Sequence, residues 1–404
     1  MAVGAFNPVK FNPVRGFALG TASAGIKTAG RKDLVIMQAQ PGSTMAGVFT
    51  VNAFCAAPVH VCREHLALDA PLLLVVNTGN ANAGTGEQGM LDAKATCAAV
   101  AELAGVPSTQ VLPFSTGVIG ETLPMERLLD ALPAAYANLT ATGWNDAAEG
   151  ILTTDTRTKG ASVKVTIAGQ DITLSGISKG SGMIRPNMAT MLAYVATDIK
   201  LSPQLTQQLV AEASELSFNR ITVDGDMSTN DSCILVATGA SGVELLQDSA
   251  DYDVLRSALI SLMQQLAQAI VRDGEGATKF IAIEVVGGGD SQECLDVAYA
   301  IAHSPLVKTA LFAADPNWGR ILAAVGYAGV KNLDVDALTI HLGDALLVAN
   351  GGRAKCYTEA AGQAVMDLEE ITIKVDLQRG ACAETVWTTD LSYDYVRINA
   401  DYRS

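Results

Sequence analysis

Apolar residues recur along this chain with two different spacings. Short, almost continuous apolar runs occupy residues 33–38, 72–76 and 190–197. Between such runs, residues 90–103 and 203–216 carry apolar side chains at helical spacing. Short apolar runs are typical of buried strands, and the longer periodic segments are typical of amphipathic helices. This alternation predicts a layered α/β or α+β protein rather than a helical bundle or a β-sandwich.

The same patterns predict the other main elements. Alternation in period two on both sides of a turn at Gly169-Gln170 predicts a hairpin over residues 161–175. A glycine-rich loop is expected to follow it, over residues 176–189. The remaining predictions are two helices, one strand and one strand pair, in that order: residues 124–139, 253–270, 280–286 and 334–352. No internal repeat or linker-like tract marks a boundary between lobes.

Composition and charge exclude several classes of protein. Hydrophobic residues make up 49% of the 404 positions and charged residues 17%, which provides enough apolar surface for a large core. The net charge of −15 argues against binding to nucleic acid, because that requires a basic surface. The charge is unevenly distributed. Residues 1–189 contain 13 basic and 13 acidic side chains, so the entire acidic excess lies in residues 190–404.

The chain carries no pattern that indicates export or membrane insertion. Its N-terminal segment has two Asn-Pro breaks instead of a continuous apolar stretch, and the longest aliphatic run, residues 72–76, is too short to span a bilayer. Seven scattered cysteines without a C-x-x-C pair are typical of reduced thiols. These features favour a cytoplasmic protein without a membrane partner.

A glycine motif precedes the first predicted helix. Gly84-Thr-Gly86-Glu-Gln-Gly89 matches the G-x-G-x-x-G pattern by which a helix N-terminus binds the pyrophosphate of a dinucleotide. Seven residues separate it from the preceding strand, and Glu87 would place a carboxylate beside the phosphates. A turn or a substrate-lining loop is therefore the favoured interpretation, and dinucleotide binding is the weaker one.

A second motif, Gly176-Ile-Ser178-Lys-Gly180, matches the G-x-S-x-G pattern of a nucleophile elbow. Such an elbow starts a helix, whereas Gly182 and Pro186 follow here, and proline is unfavourable inside a helix. A glycine-rich loop is therefore favoured over a serine nucleophile.

Potential metal ligands are clustered at His60, Cys62 and His65, with Cys55 just upstream. On a helix the first three of these positions do not share one face, and no second pair of ligands follows at zinc-finger spacing. No metal ion is expected.

The segment from Lys179 to Asp198 holds the strongest candidate chemistry. A glycine-rich loop containing Pro186 leads directly to Thr190 at the start of an apolar strand. If the peptide bond before Thr190 were cleaved, this threonine would carry both a hydroxyl nucleophile and a free α-amine. With a pKa of about 7.7–8, the amine could accept the hydroxyl proton near neutral pH. The residues alone leave a second interpretation open, a threonine that merely starts a strand.

Several long motifs extend this observation across the chain. The sequence GSGMIRPNMATML, residues 180–192, resembles the self-processing signature of the ornithine acetyltransferase family, the bifunctional glutamate N-acetyltransferase and amino-acid acetyltransferase of arginine biosynthesis. Further matching motifs follow in family order: residues 77–86, 115–120, 152–156, 223–231, 315–320 and 395–404. The resemblance therefore covers nearly the whole chain.

The resemblance implies a fold, a processing step and a reaction. Autocatalytic cleavage between Ala189 and Thr190 would give an α chain of residues 1–189 and a β chain of residues 190–404. The implied fold is a layered αββα sandwich with a second, smaller α/β lobe. In the implied ping-pong reaction, Thr190 takes the acetyl group from N2-acetyl-L-ornithine and passes it to L-glutamate. Some family members also use acetyl-CoA as the donor, and no residue of this chain decides that activity.

The resemblance also implies roles for individual residues. Thr116 and Gly117 would form the oxyanion hole, through a hydroxyl and a backbone N–H. Substrate contacts would come from Thr190 and five further positions: Thr153, Lys179, Glu275, Asn399 and Ser404. Lys179 is a candidate partner for a substrate carboxylate, and Glu275 for an ammonium group. An α2β2 assembly without a metal or organic cofactor is expected. The alternative is a related self-cleaved amidohydrolase or aminopeptidase.

Overall fold

The computed structural model describes residues 2–185 and 191–401. Within these ranges the chain forms fifteen strands: β1 Phe17–Ala22, β2 Leu34–Ala39, β3 Thr44–Phe49, β4 Leu73–Asn80, β5 Val111–Val118, β6 Lys159–Ile167, β7 Gln170–Lys179, β8 Leu192–Thr197, β9 Ser232–Ala237, β10 Phe280–Gly288, β11 Thr339–Leu342, β12 Ala345–Ala349, β13 Gly352–Arg353, β14 Glu370–Asp376 and β15 Cys382–Thr389. The same ranges contain eleven α-helices: α1 Ala57–Leu68, α2 Gly86–Ala104, α3 Met125–Ala137, α4 Trp144–Gly150, α5 Pro203–Glu215, α6 Tyr252–Arg272, α7 Ser291–Ala302, α8 Pro305–Phe312, α9 Trp318–Gly326, α10 Glu359–Met366 and α11 Tyr393–Asp401.

These elements form two compact units. The large unit comprises Asn7–Asn219 and Asp226–Ile270. The small unit comprises the N-terminal residues up to Phe6, the short segment Arg220–Gly225, and the described part of the chain from Val271 to Asp401. The boundaries between the units therefore do not coincide with the predicted cleavage site.

The large unit contains two sheets. The first has the strand order β1-β2-β4-β5, and the second has the order β3-β9-β8-β7-β6. One pair in each sheet is parallel, β4 with β5 and β8 with β9. The other pairs are antiparallel. Because parallel neighbours run in the same direction, β4 and β5 place their C-terminal ends side by side.

Buried side chains join the two sheets into a layered structure. Between the sheets, Leu74 and Phe114 of the first belong to one core with Ile177 and Tyr194 of the second, and the Phe114 and Tyr194 rings meet edge to face at 5.2 Å. The outer face of the first sheet packs against α2 and α3. The outer face of the second packs against α5 and α6. This is the αββα layering that was predicted, and that prediction is confirmed.

Helix ends follow local signals in the sequence. Helix α2 ends at Ala104, and Gly105 then adopts a left-handed φ of 68° that lets its N–H satisfy carbonyls of the last turn. Helices α5 and α8 begin with Ser-Pro, and the side chains of Ser202 and Ser304 each accept a backbone N–H of the first turn. The helices predicted near residues 90–103 and 203–216 are thereby confirmed.

The hairpin between β6 and β7 turns one residue earlier than predicted. Its turn is Ala168-Gly169, and both residues have positive φ, 49° and 74°. A two-residue type I′ turn requires positive φ at both positions, because its twist then matches that of the strands. The hairpin prediction is therefore confirmed, but its turn residues were wrong.

The loop predicted over residues 176–189 was wrong in its first part, because β7 continues to Lys179. Residues 176–178 pair with β6 on one side, and residues 176–179 pair with β8 on the other. Gly176 suits this tightly packed position, since a Cβ would lie 3.0 Å from the Val195 side chain of β8 and 3.1 Å from the Leu266 side chain of α6. Ser178 is consequently a fully buried residue inside a strand rather than the tip of a nucleophile elbow.

Helix α6 has the length and composition of a membrane span, and it is the one helix among the described residues that does. It has 21 residues, with a mean hydropathy of 1.3 in its most apolar window. Core helices of folded proteins commonly share these properties. Its fully buried side chains recur at helical spacing: Leu255, Leu259, Leu262, Leu266 and Ile270. Two of them contact the sheet at Gly176, so α6 is a core helix of the large unit.

The small unit is built on one sheet with the strand order β13-β12-β11-β14-β10-β15. Strand β10 runs parallel to β14 and antiparallel to β15. Alternate residues of β10, such as Ile281 and Ile283, enter a core with Val297 of α7 and Ala324 of α9. The short segment Arg220–Gly225 contributes a bridge between Ile221 and Trp387. The expected smaller α/β lobe is therefore confirmed.

Candidate active site

Backbones approach each other closely at the C-terminal ends of β4 and β5. Gly117 has a φ of 140°, and a Cβ at this position would lie 2.3 Å from the carbonyl carbon of Gly79 and 2.5 Å from the nitrogen of Asn80. Both the conformation and the lack of space exclude any other residue. The strand register shifts at the same point. The predicted oxyanion-hole residues Thr116 and Gly117 thus lie where the regular ladder ends.

Buried asparagines support this strand end. Asn77 Nδ2 donates a hydrogen bond to the carbonyl of Asn80 at 2.9 Å, and Ser115 Oγ donates to Asn77 Oδ1 at 2.5 Å. Asn80 Nδ2 donates to the carbonyls of Glu121 and Thr122. The side chains thereby satisfy carbonyls at the end of β4 and in the loop that follows β5. Both asparagines belong to the motif of residues 77–86, for which no individual roles were predicted.

The two sheets bring Lys179 and Thr116 together. Lys179 is the last residue of β7, and Thr116 lies near the end of β5 in the facing sheet. Lys179 Nζ donates to Thr116 Oγ1 at 3.4 Å, and the residues are only 4% and 8% exposed. Because the ammonium group donates to this hydroxyl oxygen, the hydroxyl hydrogen is available to a different acceptor. The arrangement therefore suits Thr116 as a hydrogen-bond donor.

A buried carboxylate, Asp155, organises the residues around Lys179. It accepts hydrogen bonds from the backbone N–H groups of Thr153 and Gly180, at 3.0 and 2.8 Å, and from Lys159 Nζ at 2.6 Å. Burial alone would raise the pKa of Asp155, but the charges of Lys159 and Lys179 hold it well below the usual range for a carboxyl. Asp155 is therefore ionised, and it connects Thr153 to the strand end that carries Lys179.

Both backbone polar groups of Met191, the residue before β8, are held by the β9 side of the sheet. Its N–H donates to Asp231 Oδ1 at 3.0 Å, and its carbonyl accepts from the N–H of Ser232 at 3.1 Å. Strand β8 is buried throughout, and Leu192 lies opposite Lys179 in the pairing with β7. The chain immediately after residue 190 is thus held beside Lys179.

Asn230, the residue before Asp231, binds the backbone near the ends of β4 and β5. Its Nδ2 donates to the carbonyls of Ala81 and Ser115, at 2.7 and 2.9 Å. Asn230 and Asp231 belong to the motif of residues 223–231, whose roles the sequence did not reveal. The signal that was available is a pair of adjacent polar residues directly before a fully buried strand.

Two further predicted residues lie in the small unit. Asn399 of α11 donates from Nδ2 to Glu275 Oε2 at 2.8 Å. Ser392 Oγ also donates to the carbonyl of Gly276 at 2.7 Å, which fixes the loop carrying Glu275 against the start of α11. Glu275 and Asn399 therefore form one polar pair.

Thr116, Gly117 and Lys179 are brought together in the large unit, and Thr153 is joined to them through Asp155. The predicted cleavage residues Ala189 and Thr190 and the predicted substrate contact Ser404 lie outside the described residues.

The candidate zinc ligands on α1 have structural roles. Cys62 Sγ donates to the carbonyl of Pro113 at 3.1 Å, and His65 Nδ1 lies 2.7 Å from the carbonyl of Val111. Across residues 2–185 and 191–401, no group of three or more histidine, cysteine, aspartate or glutamate side chains is arranged to hold a metal ion.

The glycine motif before α2 is an ordinary helix start. Gly86 opens α2 with a φ of 60°, and Asn82 fixes the turn by accepting from Thr85 Oγ1 and donating to the carbonyl of Gly89. A Cβ at Gly89 would lie 2.0 Å from Thr85 Oγ1, so this glycine is required for packing within the turn.

Known proteins match this chain over its full length. The model of the ArgJ family matches residues 18–404. The arginine biosynthesis bifunctional proteins ArgJ of Pseudomonas fluorescens and Pseudomonas syringae pv. tomato are 57% and 56% identical over 406 residues, covering 100% of both chains in each case. The crystal structure of arginine biosynthesis bifunctional protein argJ from Bacillus halodurans is 38% identical with a TM-score of 0.50, and the match covers 52% of this chain and 98% of that one. The chain therefore belongs to the ArgJ family.

Proposed function

We propose that the protein is a self-processing acetyltransferase of arginine biosynthesis. It moves the acetyl group from N2-acetyl-L-ornithine to L-glutamate through an acetyl-Thr190 intermediate, and it releases L-ornithine and N-acetyl-L-glutamate. The observation that carries the proposal is the position of Lys179 and Met191. These residues lie on either side of the proposed cleavage site. Lys179 donates to Thr116 at the end of β5, and Met191 is held by Asp231, whose neighbour Asn230 binds the carbonyl of Ser115 in β5.

Processing creates the catalytic group. The Thr190 hydroxyl attacks the carbonyl carbon of Ala189, the new C–O bond replaces the C–N bond, and the released nitrogen takes up the hydroxyl proton. Water then hydrolyses the ester, which leaves a carboxylate on Ala189 and a free hydroxyl and α-amine on Thr190. The products are chains of residues 1–189 and 190–404. The matched Bacillus chain is about half as long as this one, which is the length expected for one such product.

The transfer reaction uses the same hydroxyl. The neutral α-amine of Thr190 takes the hydroxyl proton while the oxygen attacks the acetyl carbonyl, and the proton then passes to the departing amine of ornithine. The Thr116 hydroxyl and the Gly117 N–H stabilise the negative oxygen of the tetrahedral intermediate, and removal of one such donor costs about 10²–10³ in rate. Glutamate then attacks the ester through its α-amine, and the same donors act again.

Substrate recognition is proposed for five polar residues: Thr153, Lys179, Glu275, Asn399 and Ser404. Lys179 would bind a carboxylate and Glu275 an ammonium group, the two charges that both substrates share. The relatives are described as bifunctional, so we propose acetyl-CoA as a second donor. The chemistry requires no metal or organic cofactor, and α2β2 is the proposed assembly.

Intact mass and an acetyl-transfer assay test this proposal on the same samples. The wild-type chain of 42.0 kDa should appear as two fragments, the second beginning at Thr190. Thr190→Ala should stay uncut and lose more than about 10³-fold in activity, as nucleophile variants do. Thr190→Ser, which keeps the hydroxyl, is the matched control and should still be cut.

Three results would contradict the proposal. They are an uncut wild-type chain, a cut at another position, and acetyl transfer by Thr190→Ala. Release of acetate from acetylornithine without any need for glutamate would instead indicate the amidohydrolase alternative.

A further inference from the structure

A buried carboxyl oxygen near the proposed nucleophile has no assigned role. Asp231 is 1% exposed, and its Oδ1 accepts the N–H of Met191. Its Oδ2 is also buried and has no hydrogen-bond partner among the described residues. Buried carboxyl oxygens are normally hydrogen-bonded, so a missing partner calls for an explanation.

The identity of that group follows from covalent connectivity. Met191 is bonded to Thr190, so the α-amine that cleavage creates on Thr190 is only a few covalent bonds from the N–H that Asp231 already holds. An amine has hydrogens to donate, and a carboxyl oxygen is a strong acceptor. In the uncut chain the same nitrogen belongs to a peptide bond and carries a single hydrogen. Cleavage therefore adds hydrogens that this nitrogen can donate to Asp231.

Asn230, the residue before Asp231, connects the same segment to the strand that carries the predicted oxyanion hole. It holds the carbonyl of Ser115, directly before Thr116 and Gly117, while Asp231 holds Met191, directly after Thr190. The backbone of Asp231 is fixed as well, since its carbonyl accepts the N–H of Thr50. Two consecutive residues therefore hold the residue that directly precedes Thr116 and the residue that directly follows Thr190.

We propose that Asp231 is a positioning residue whose free carboxyl oxygen binds the α-amine of Thr190 after cleavage, and that Asn230 and Asp231 together align this nucleophile with Thr116 and Gly117. The inference rests on the proposed function of Thr190. Charged and titratable groups around the carboxyl are Lys179 and the Cys55 thiol. In the uncut chain burial raises the pKa of Asp231 well above the usual range, and the Met191 N–H, the charge of Lys179 and the nearby Ser228 hydroxyl oppose this effect. A cationic amine beside the carboxyl would lower this pKa further, so the proposed contact favours the ionised carboxylate.

Two variants of the full chain test the proposal. Asp231→Asn keeps an acceptor for Met191 but removes the negative charge that favours a protonated amine. The acidic limb of its kcat/KM profile should therefore move to lower pH, by about one unit. Asp231→Ala also removes the contact with Met191, so it should be cut at least about ten-fold more slowly than wild type. Its kcat should fall by about 10²-fold while KM for glutamate changes little, because a displaced nucleophile affects the chemical step.

A matched control lies at the other end of the same strand. Asp198 follows β8, is fully buried and accepts the N–H of Thr173 at 2.9 Å. Asp198→Asn should lower the melting temperature without changing the cleavage rate or the pH profile. A general loss of stability in the Asp231 variants can thus be separated from a specific effect.

The outcomes separate this inference from the proposed function. If the wild-type chain is not cut before Thr190, the proposed function fails first. If it is cut there, but Asp231→Asn keeps the wild-type acidic limb, the role of Asp231 is overturned and Thr190 remains the nucleophile. If Asp231→Ala does not fold, Asp231→Asn alone decides the matter.

Discussion

At Asp155 a single buried carboxylate lies between two buried lysines. Its side chain and that of Lys159 are both 0% exposed, and Lys179 is 4% exposed. Charges in such surroundings are tolerated only when they are paired and hydrogen-bonded. Asp155 therefore keeps Lys179 charged and in place, with its ammonium group directed at Thr116. Asp155, for which no role was predicted, thus supports Lys179 and Thr116, for which roles were predicted.

Asp155→Asn should destabilise the protein strongly, because it leaves two buried cations without a compensating charge. We expect a loss of about 3–5 kcal/mol in the free energy of unfolding, measured by urea denaturation near pH 7. The folded-state pKa of Asp155 is lowered, so its contribution is present above the unfolded pKa of about 3.9 and is lost as the pH falls through the folded value.

The control for this prediction is Asp146→Asn. Asp146 pairs with Lys32 at 2.7 Å on an exposed surface, and such pairs contribute about 0–1 kcal/mol. An equally small loss for both variants would show that Asp155 is not the compensating charge.

Between elements, Lys308 connects α8 to the end of β15 in the small unit. Its Nζ donates to Thr388 Oγ1 at 3.1 Å and to the carbonyl and hydroxyl of Thr389. Burial lowers the pKa of Lys308 to about 8, while the charges of Asp390 and Asp224 act in the opposite direction. Lys308 therefore attaches α8 to β15, although burial makes its charged form less favourable.

A comparison of wild type with Lys308→Met should show that this lysine makes the free energy of unfolding depend on pH. The folded pKa of about 8 lies below the reference value of 10.5, so the unfolded chain binds more protons between these values. The free energy of unfolding of the wild type, relative to the variant, should therefore rise with pH over this window, by roughly 3 kcal/mol at most.

Urea denaturation at pH 7 and pH 10 measures this difference. Lys164→Met, which removes an exposed lysine from β6, is the control. A wild-type advantage that stays constant or shrinks with rising pH would contradict the prediction.

On the scale of the whole molecule, the proposed cut separates strands that share a sheet. In the order β3-β9-β8-β7-β6, strands β8 and β9 follow the cut and the other three precede it. Strand β8 pairs with β7 over six residues, and β3 pairs with β9 over six more. The core between the sheets also draws on both chains. Neither chain can complete the large unit alone, so the difference in charge between them is not needed to explain why they stay together.

The two chains should therefore remain associated after cleavage. We expect them to coelute in gel filtration at low salt and at 1 M NaCl, because screening weakens ion pairs but not buried apolar contacts and strand pairing. They should separate only in denaturant. The uncut Thr190→Ala chain, eluting at the same volume, is the control. Dissociation by salt alone would show that charge holds the chains together.

Much of the architecture was predictable because its signals are local. Gly105 ends α2 and Ser202 starts α5 through contacts within one turn, so both helices were located correctly. Strand β7 was cut short in the prediction because Gly176 and Gly180 suggested a loop. The reason for a glycine at residue 176 is a helix some 90 positions away, whose Leu262 and Leu266 press against it. Local patterns cannot report such a contact.

The sequence by itself determined the layered class of fold, the separate helices and strands, and, through its motifs, the family and the candidate residues. Only the tertiary structure decided which of them meet. Lys179 reaches Thr116 across 63 positions, Met191 reaches Asp231 across 40, and Gly180 reaches Asp155 across 25. Periodicity and caps act within a few residues, whereas these contacts exist because strands distant in sequence pair within one sheet and because the two sheets pack face to face. The roles of Asp155 and Asp231 therefore became visible only in the folded chain.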